Sequence, residues 1–419
     1  MKTNAVKVTL WGVTVGYASW DRMSRRAMFQ YDEAYIENGW DLSPLQMPLW
    51  SERSRRGMVW SGNTDKLYQG LPPMLADSLP DRWGNSIFNA WLRDNRIRSS
   101  DITPIDQLSF IGRRAMGALE FEPAQQLGGG EIFDVDVQKL YAFAREVLSA
   151  REAVTLTPER SVLWQDLIKL GTSPGGRRPK AVIAFNPETG ETRSGQSDVP
   201  DGFIHYILKY DDGSAFPFAR MEYVYYRLAT AVGIEMMPSE LREFGGVSHF
   251  LTRRFDRVGN RKVHTQTLAA MSPDAGSYDD LFEVIRRLRL PYKASEQQFL
   301  RMVFNVLGCN VDDHAKNFSF CMNDRGEWML SPAYDITFAV DPSAPVYVNR
   351  HSLLINGKDC DVTETDMVEV ARRNDIAHPR ELIERVREAF DAFPAEARYA
   401  GVSEDVIEMV RSNLKSAKS

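Results

Sequence analysis

Cysteine is scarce. Only Cys309, Cys321 and Cys360 stand in 419 residues, an odd number without motif spacing, so neither a disulfide framework nor a zinc site is expected. Apolar runs of membrane-spanning length are missing, and so is a signal-type apolar stretch near residue 1. The expectation is a soluble, cytoplasmic protein with no membrane contact. Charge of one sign is also in short supply: 51 basic and 57 acidic side chains leave a net charge of −6, which argues against a protein that coats nucleic acid. What the chain does have is apolar mass. At 43% hydrophobic residues it can build substantial cores in two or three domains.

The most informative stretch runs from Asn305 to Phe320 and is followed by Ser331-Pro332-Ala333-Tyr334-Asp335. Before it, Ser295-Glu296-Gln297-Gln298 reads as a capping box. Phe299, Met302, Val303, Val306 and Leu307 then repeat at helical spacing, and Gly308 is placed to end the helix. After it, the apolar runs Phe318 to Met322 and Glu327 to Leu330 are joined by Asn323-Asp324-Arg325-Gly326, a hairpin turn by composition. Such a hairpin returns Asp335 to the side of Asn317, so that Asp312, Asn317 and Asp335 converge.

Phosphoryl transfer from ATP needs a carboxylate to accept the proton of the attacking hydroxyl, and oxygen ligands that hold Mg²⁺ on the phosphates. An Asp, an Asn five residues on and an Asp beyond a hairpin follow the protein-kinase order of those parts. Asp312-Asp313-His314 taken alone also reads as a solvated turn. A transition-metal site at His314 lacks a second His or Cys at ligand spacing.

The region before it carries further signals. Residues 1–125 read as a separate module: Val6 to Gly16 as strand, turn and strand, Ala27 to Tyr31 in the same style, and a helix with Trp83, Ile87, Phe88, Trp91 and Leu92 whose aromatics belong to a core. Ala124 to Glu131, with three glycines, is the linker candidate. Gly171 to Lys180, rich in glycine, precedes an apolar strand, Ala181 to Phe185. Backbone amides in such a loop can approach phosphates, although the spacing matches neither Walker A nor a strict GxGxxG.

His205 to Tyr210 reads as a buried strand whose Lys209 needs a partner. Glu222, beside the apolar face Met221, Val224, Tyr225, Leu228 and Val232, supplies one, as in the kinase ion pair that positions ATP phosphates. Separately, Lys209 would be a snorkelling edge lysine and Glu222 a solvated helix residue. A third strand, Ser248 to Arg257, stands where a hinge between lobes would fall; Arg253, Arg254 and Arg257 read as strand-end charges that pair with Asp256 or face solvent.

In order, the Gly171 to Lys180 loop, Ile207-Leu208-Lys209, Met221-Glu222-Tyr223, Arg253 to Arg257, Asn310 to Ser319 and Ser331 to Ile336 resemble the HipA family of bacterial serine/threonine kinases, toxins of type II toxin–antitoxin systems. Leu10-Trp11-Gly12 and Gly70-Leu71-Pro72-Pro73 resemble that family's N-terminal subdomain, so the likeness spans nearly the whole chain. The resemblance implies Asp312 as the catalytic Asp, with Asn317 and Asp335 as Mg²⁺ ligands. It places His314, Lys316 and Tyr334 at the nucleotide pocket, Lys209 on the ATP phosphates, and Arg253, Arg254 and Phe255 at the hinge. Ser173, Pro174, Gly175, Gly176 and Lys180 belong to the phosphate loop it implies, in which Ser173 matches an autophosphorylated serine. Phosphorylation there adds about −1.5 to −2 charge to a loop that cradles phosphates and should switch the enzyme off. Pro174, Arg177 and Arg178 depart from the family's loop.

The expected fold is therefore α+β: a two-lobed protein-kinase-like fold with an extra N-terminal β-rich subdomain (1–125), a nucleotide-binding lobe (126–255) and a mainly helical C-terminal lobe (256–419), whose last helices, Glu364 to Asn413, serve packing. The expected function is an ATP- and Mg²⁺-dependent protein serine/threonine kinase acting as a toxin. The resemblance implies a translation component such as an aminoacyl-tRNA synthetase as target. It also implies neutralisation by a small DNA-binding, HipB-like antitoxin, through which any DNA contact would be made. A small-molecule phosphotransferase shares the Asp, Asn and Asp order, and a non-catalytic corepressor would have no physical need for Lys209, Glu222, Asp312, Asn317 and Asp335 together.

Overall fold

The computed structural model describes residues 3–124, 134–149, 158–171, 178–196, 198–211, 213–341 and 349–417. Val6, Val8 and Leu10 alternate with less buried neighbours, which gives β1 (Ala5–Leu10) one buried face. Trp11 and Gly12, both at positive φ, turn the chain tightly into β2 (Val13–Asp21). β3 (Arg26–Tyr31), β4 (Trp60–Ser61) and β5 (Leu119–Glu122) complete an antiparallel sheet in the order β4-β3-β2-β1-β5. Around it lie α1 (Glu33–Asn38), α2 (Glu52–Arg55), α3 (Pro73–Ala76), α4 (Arg82–Asp94) and α5 (Pro104–Ile111). A Thr103/Asp106 capping box starts α5, whose Ile105, Leu108 and Ile111 fill the core with Val8, Phe29 and Phe121.

α4 packs elsewhere. Its Trp83, Ile87, Phe88 and Leu92 join a second core, with α6 (Val137–Ser149), α7 (Pro158–Gly171), β6 (Lys180–Phe185) and, after β7 (Thr192–Ser194), β8 (Ile204–Lys209). The Trp83 indole N–H donates to the Lys180 carbonyl at 2.9 Å. The helix thus crosses the chain boundary placed at residue 125 and belongs by packing to the second lobe. Of the linker candidate, only Ala124 lies within the described residues.

The second sheet has the order β7-β6-β8-β10-β9, all antiparallel, with β9 (Ser239–Phe244) and β10 (Val247–Arg253). Lys180 of β6 stands directly opposite Lys209 of β8, which puts both lysines on one face. The third strand, expected to run to Arg257, ends at Arg253. Asp256 there draws the chain off the sheet: it accepts from Arg254 Nε at 2.8 Å and Nη2 at 2.7 Å, from Arg257 Nη1 at 3.0 Å and from the Gly117 amide at 2.7 Å.

Between the strands runs α8 (Phe218–Ala231). Its Met221, Val224, Tyr225 and Leu228 pack into the C-terminal core, although residues 126–255 were expected to form one lobe. The two lobes are therefore sewn together by a helix that belongs to one in sequence and to the other in packing.

A short hairpin, β11 (Arg257–Val258) with β12 (Arg261–Lys262), leads to β13 (His264–Thr267), α9 (Leu268–Met271), α10 (Tyr278–Arg287) and α11 (Tyr292–Leu307). α11 begins a turn before the expected capping box, with Pro291 as its cap. Ser295 to Gln298 lie inside it, and the Gln297 amide serves the turn after α8 instead, accepting from the Glu235 N–H at 2.9 Å and donating to the Gly233 carbonyl at 2.8 Å. Gly308 does end α11, though at φ −90°; the left-handed residue is Cys309. Glycine is required at 308 by proximity, because a Cβ there would lie 2.5 Å from the Phe390 ring.

β14 (Ser319–Met322) and β15 (Trp328–Leu330) form the expected hairpin and extend β13. α12 (Glu364–Arg373), α13 (Pro379–Asp391), α14 (Phe393–Tyr399) and α15 (Glu404–Ala417) close the lobe. The N-terminal module is braced on the hairpins: Trp11 Nε1 donates to the Lys262 carbonyl at 2.7 Å, and Met322 enters the module's core. No helix among the described residues is long and apolar enough to cross a membrane.

Candidate active site

Buried apolar residues of α11 carry the chain to Asn310, where the Asn310 amide caps the Asn305 carbonyl at 2.9 Å and Asn310 Nδ2 reaches Asn305 Oδ1 at 2.9 Å. The loop that follows presents Asp312 to solvent with its side chain 71% exposed. Asn317 Nδ2 donates to the Asp312 carbonyl at 2.7 Å and its own N–H to His314 O at 2.8 Å, so the five-residue offset is closed into one compact turn. His314 Nε2 stands 3.9 Å from Asp312 Oδ1.

Asp335 arrives from the hairpin as the sequence led us to expect. The Ala333 amide donates to Glu235 O at 2.8 Å, and Asp335 itself takes positive φ. There it meets Lys209, whose ammonium contacts both Asp335 and Glu222. Burial works against the Lys209 charge, and the two carboxylates outweigh it, pushing its pKa above the ordinary lysine value. Burial would likewise raise the Asp335 carboxyl, but the ammoniums of Lys209 and Lys180 outweigh it and hold Asp335 well below the usual carboxylate range. Glu222 moves the other way, raised by burial and by the charge of Asp335. Lys180 is buried beside this group, and its own desolvation lowers its pKa.

The helix that carries Glu222 is held from the C-terminal lobe. Tyr225 Oη donates to Gly308 O at 2.6 Å, Arg220 Nη1 to Ala400 O at 2.6 Å, and Arg227 pairs with Glu396. The C-terminal helices thus set the height of Glu222 against Lys209. The sequence reading gave those helices packing alone.

Other predicted residues fall in different places. Phe255 stacks on Tyr334, ring centroids 5.5 Å apart. Tyr334 Oη donates to Lys316 O at 2.8 Å and bonds to Ser319 Oγ, so its hydroxyl braces the turn that carries Asp312 and Asn317. The Lys316 ammonium is engaged by Asp81 at the start of α4, 2.5 Å away. The Arg254 guanidinium is wholly buried on Asp256, which leaves only its backbone for a ligand, whereas Arg253 is exposed. Ser173, Pro174, Gly175 and Gly176 lie outside the described residues.

A cavity of about 10 Å³ behind the turn is lined by Asn317 and Asp335 together with Arg301, Asn305, Asn310 and Asp313. Among the described residues no group of three or more His, Cys, Asp or Glu is arranged to hold a metal unaided. One carboxylate held ionised and one amide oxygen fit Mg²⁺, which keeps waters and substrate phosphates in the rest of its shell. The sequence reading missed Asp313, Tyr278 and His351, which meet beneath this loop. Asp313 was visible only as the partner of Asp312 in an acidic run, and nothing in the sequence linked it to residues 35 and more positions away.

The comparisons with known proteins follow the same stretch of chain. A family model for the HipA-like C-terminal domain matches residues 172–397, and one for the HipA N-terminal domain matches residues 6–122. The serine/threonine-protein kinase toxin HipA of Shewanella oneidensis is 22% identical over 365 residues, which are 80% of this chain and 75% of that protein. A putative kinase of Sinorhizobium fredii, Y4mE, is 28% identical over 130 residues, 27% of this chain; the match spans only 31% of that relative's length. Among solved structures, a chain of the Shewanella oneidensis MR-1 toxin–antitoxin complex of HipA, HipB and operator DNA shares this fold, with a TM-score of 0.69 at 16% identity over 98% of this chain and 96% of that one. The C-terminal match alone takes in more than half of the residues and all five of Lys209, Glu222, Asp312, Asn317 and Asp335; the chain belongs to the HipA family.

Proposed function

We propose that this chain is an ATP- and Mg²⁺-dependent kinase of protein serine or threonine hydroxyls, acting as the toxin of a toxin–antitoxin pair. The observation that carries the reading is the Lys209 ammonium in contact with both Glu222 and Asp335, next to the turn that holds Asp312 and Asn317. Phosphoryl transfer asks the protein chiefly for positioning and charge. Lys209 and Lys180, facing each other across two strands, would bind phosphate oxygens, Lys209 exchanging Asp335 for one of them. Asn317 and Asp335 would hold Mg²⁺, which when bound neutralises the phosphate oxygens. Asp312 orients the acceptor hydroxyl and takes its proton on a carboxylate oxygen, a contribution of about 10²–10⁴-fold. The Phe255 and Tyr334 rings offer an apolar surface for the adenine beside the hinge.

The exposure of Asp312 favours a macromolecular acceptor over a small enclosed one. By family likeness the acceptor is a translation component such as an aminoacyl-tRNA synthetase, and the partner is a HipB-like antitoxin that contacts DNA on the toxin's behalf. Autophosphorylation at Ser173 would switch the enzyme off. Mass spectrometry of the native protein and Asp312→Asn after incubation with ATP and Mg²⁺ tests the reading. The expected result is one phosphate at Ser173 in the native protein alone. No phosphate on the chain or on any protein of a bacterial extract, with Mg²⁺-ATP bound, would overturn it.

A further inference from the structure

Neighbouring residues of an extended loop point to opposite sides. Asp312 and Asp313 do so to the limit: the first is mostly in solvent, while the second has no exposed side-chain surface. A buried carboxylate needs donors on both oxygens. Asp313 has three: Tyr278 Oη at 2.7 Å and His351 Nδ1 at 2.8 Å on Oδ2, and the Ser352 backbone N–H at 2.7 Å on Oδ1. They come from two separate parts of the lobe. Tyr278 opens α10 and also accepts from Asn305 Nδ2 of α11 at 3.0 Å, which ties the network to the helix that delivers the loop. His351 and Ser352 lie on the segment that follows Asp335. That segment is held from its other side too, by Leu354 N to Gly276 O at 2.9 Å and Tyr278 N to Leu354 O at 3.0 Å.

We propose that Asp313 is a positioning residue: it locks the turn that aims Asp312 to the segment beyond Asp335, so that acid, metal ligands and that segment keep one arrangement. In protein kinases the corresponding ordering is often supplied by phosphorylation, whose added charge pairs with arginines. Here a buried carboxylate accepting a backbone amide and a histidine does it from within at His351 and Ser352, with no added charge.

The inference rests on the kinase reading of Asp312 for its effect on rate, but the coupling itself does not. Two readouts keep them apart. Hydrogen–deuterium exchange on the full chain should show residues 311–317 and 349–355 losing protection together in Asp313→Ala and in His351→Ala, with α15 unchanged. Phosphate incorporation from Mg²⁺-ATP into the chain and into casein should show kcat falling by about 10²-fold in Asp313→Ala and about tenfold in His351→Ala, with KM for ATP within about threefold, because misplacing a reacting group by an ångström costs rate rather than binding. Asp313→Asn, which keeps an acceptor for the Ser352 amide, should fall between the native protein and Asp313→Ala. His351→Ala removes one donor from the edge of the network and keeps the test open if Asp313→Ala does not fold. Unchanged exchange in both segments overturns the proposal, as does kcat within twofold of native in an active protein. If the native protein transfers no phosphate, the kinase reading fails, and exchange alone decides the coupling.

Discussion

Two charge triads of opposite make-up lie in this molecule. Arg254, Asp256 and Arg257 place one carboxylate between two guanidiniums; Glu222, Lys209 and Asp335 place one ammonium between two carboxylates. The first is sealed, its side chains 0%, 2% and 4% exposed, whereas those of Lys209, Glu222 and Asp335 are 13%, 12% and 29% exposed. Asp256 has four donors on its two oxygens, including the Gly117 amide of the N-terminal module. Burial would raise its carboxyl, and the guanidiniums outweigh that and hold it well below the usual range. Both carboxylate oxygens are taken by the protein, and the group lies out of a ligand's reach. In the second triad two acids share one cation at the edge of water, a balance that phosphates and a divalent cation can enter. Paired charge in sequence looks alike in both; saturation and access separate a joint from a site.

The sharpest way to break this comparison is at the joint. Asp256→Ala leaves two buried guanidiniums without their partner and should cost about 3–5 kcal/mol in urea unfolding, while the molecules that remain folded keep their phosphotransfer rate. Because the folded Asp256 pKa is depressed, its contribution is present above the unfolded value of about 3.9 and is lost as pH falls below it; Asp256→Asn should flatten the acid limb of a stability–pH curve below about pH 4. At the site the expectation reverses. Lys209→Met should keep the fold and lower phosphotransfer by about 10²–10³-fold, read by steady-state kinetics beside a melting curve, since a preorganised cation is removed from the phosphates. A loss under threefold would take Lys209 out of the site.

Gly308→Ala tests the turn behind both helices that feed the site. Its Cβ meets Phe390, so about 1–3 kcal/mol of destabilisation is expected from thermal or urea unfolding. Smallest is Arg227→Ala, which releases the partly exposed Glu396 and should cost no more than about 1 kcal/mol. Tyr225 and Arg220 still hold α8, so the rate should change by less than about threefold. A large rate loss there would show that Glu222 depends on this one clamp.

Much of the site was legible because its parts are local or periodic. The α11 stripe, the hairpin turn and the five-residue offset from Asp312 to Asn317 each act over a few residues, and Met221, Val224, Tyr225 and Leu228 mark the buried face of α8 wherever that face goes. Where it goes was not legible. An amphipathic stripe states that a face is buried and not against what, and so α8 crossed to the C-terminal core and α4 to the second lobe. Capping is similar. Ser295 to Gln298 have the right residues for a cap, and the competing demand of the Gly233 to Glu235 backbone for Gln297 appears only in three dimensions.

By itself, then, the sequence determined the elements, the order of the chemical groups along them and the family to which they belong, because propensity, periodicity and short offsets are properties of neighbouring residues. The tertiary structure alone decided that Lys209 meets Asp335 as well as Glu222, that Lys316 turns to Asp81, and that Asp313 is buried while Asp312 is not. Those outcomes depend on desolvation and on partners tens to hundreds of residues away, and a buried charge takes whichever partner the packed fold brings within reach.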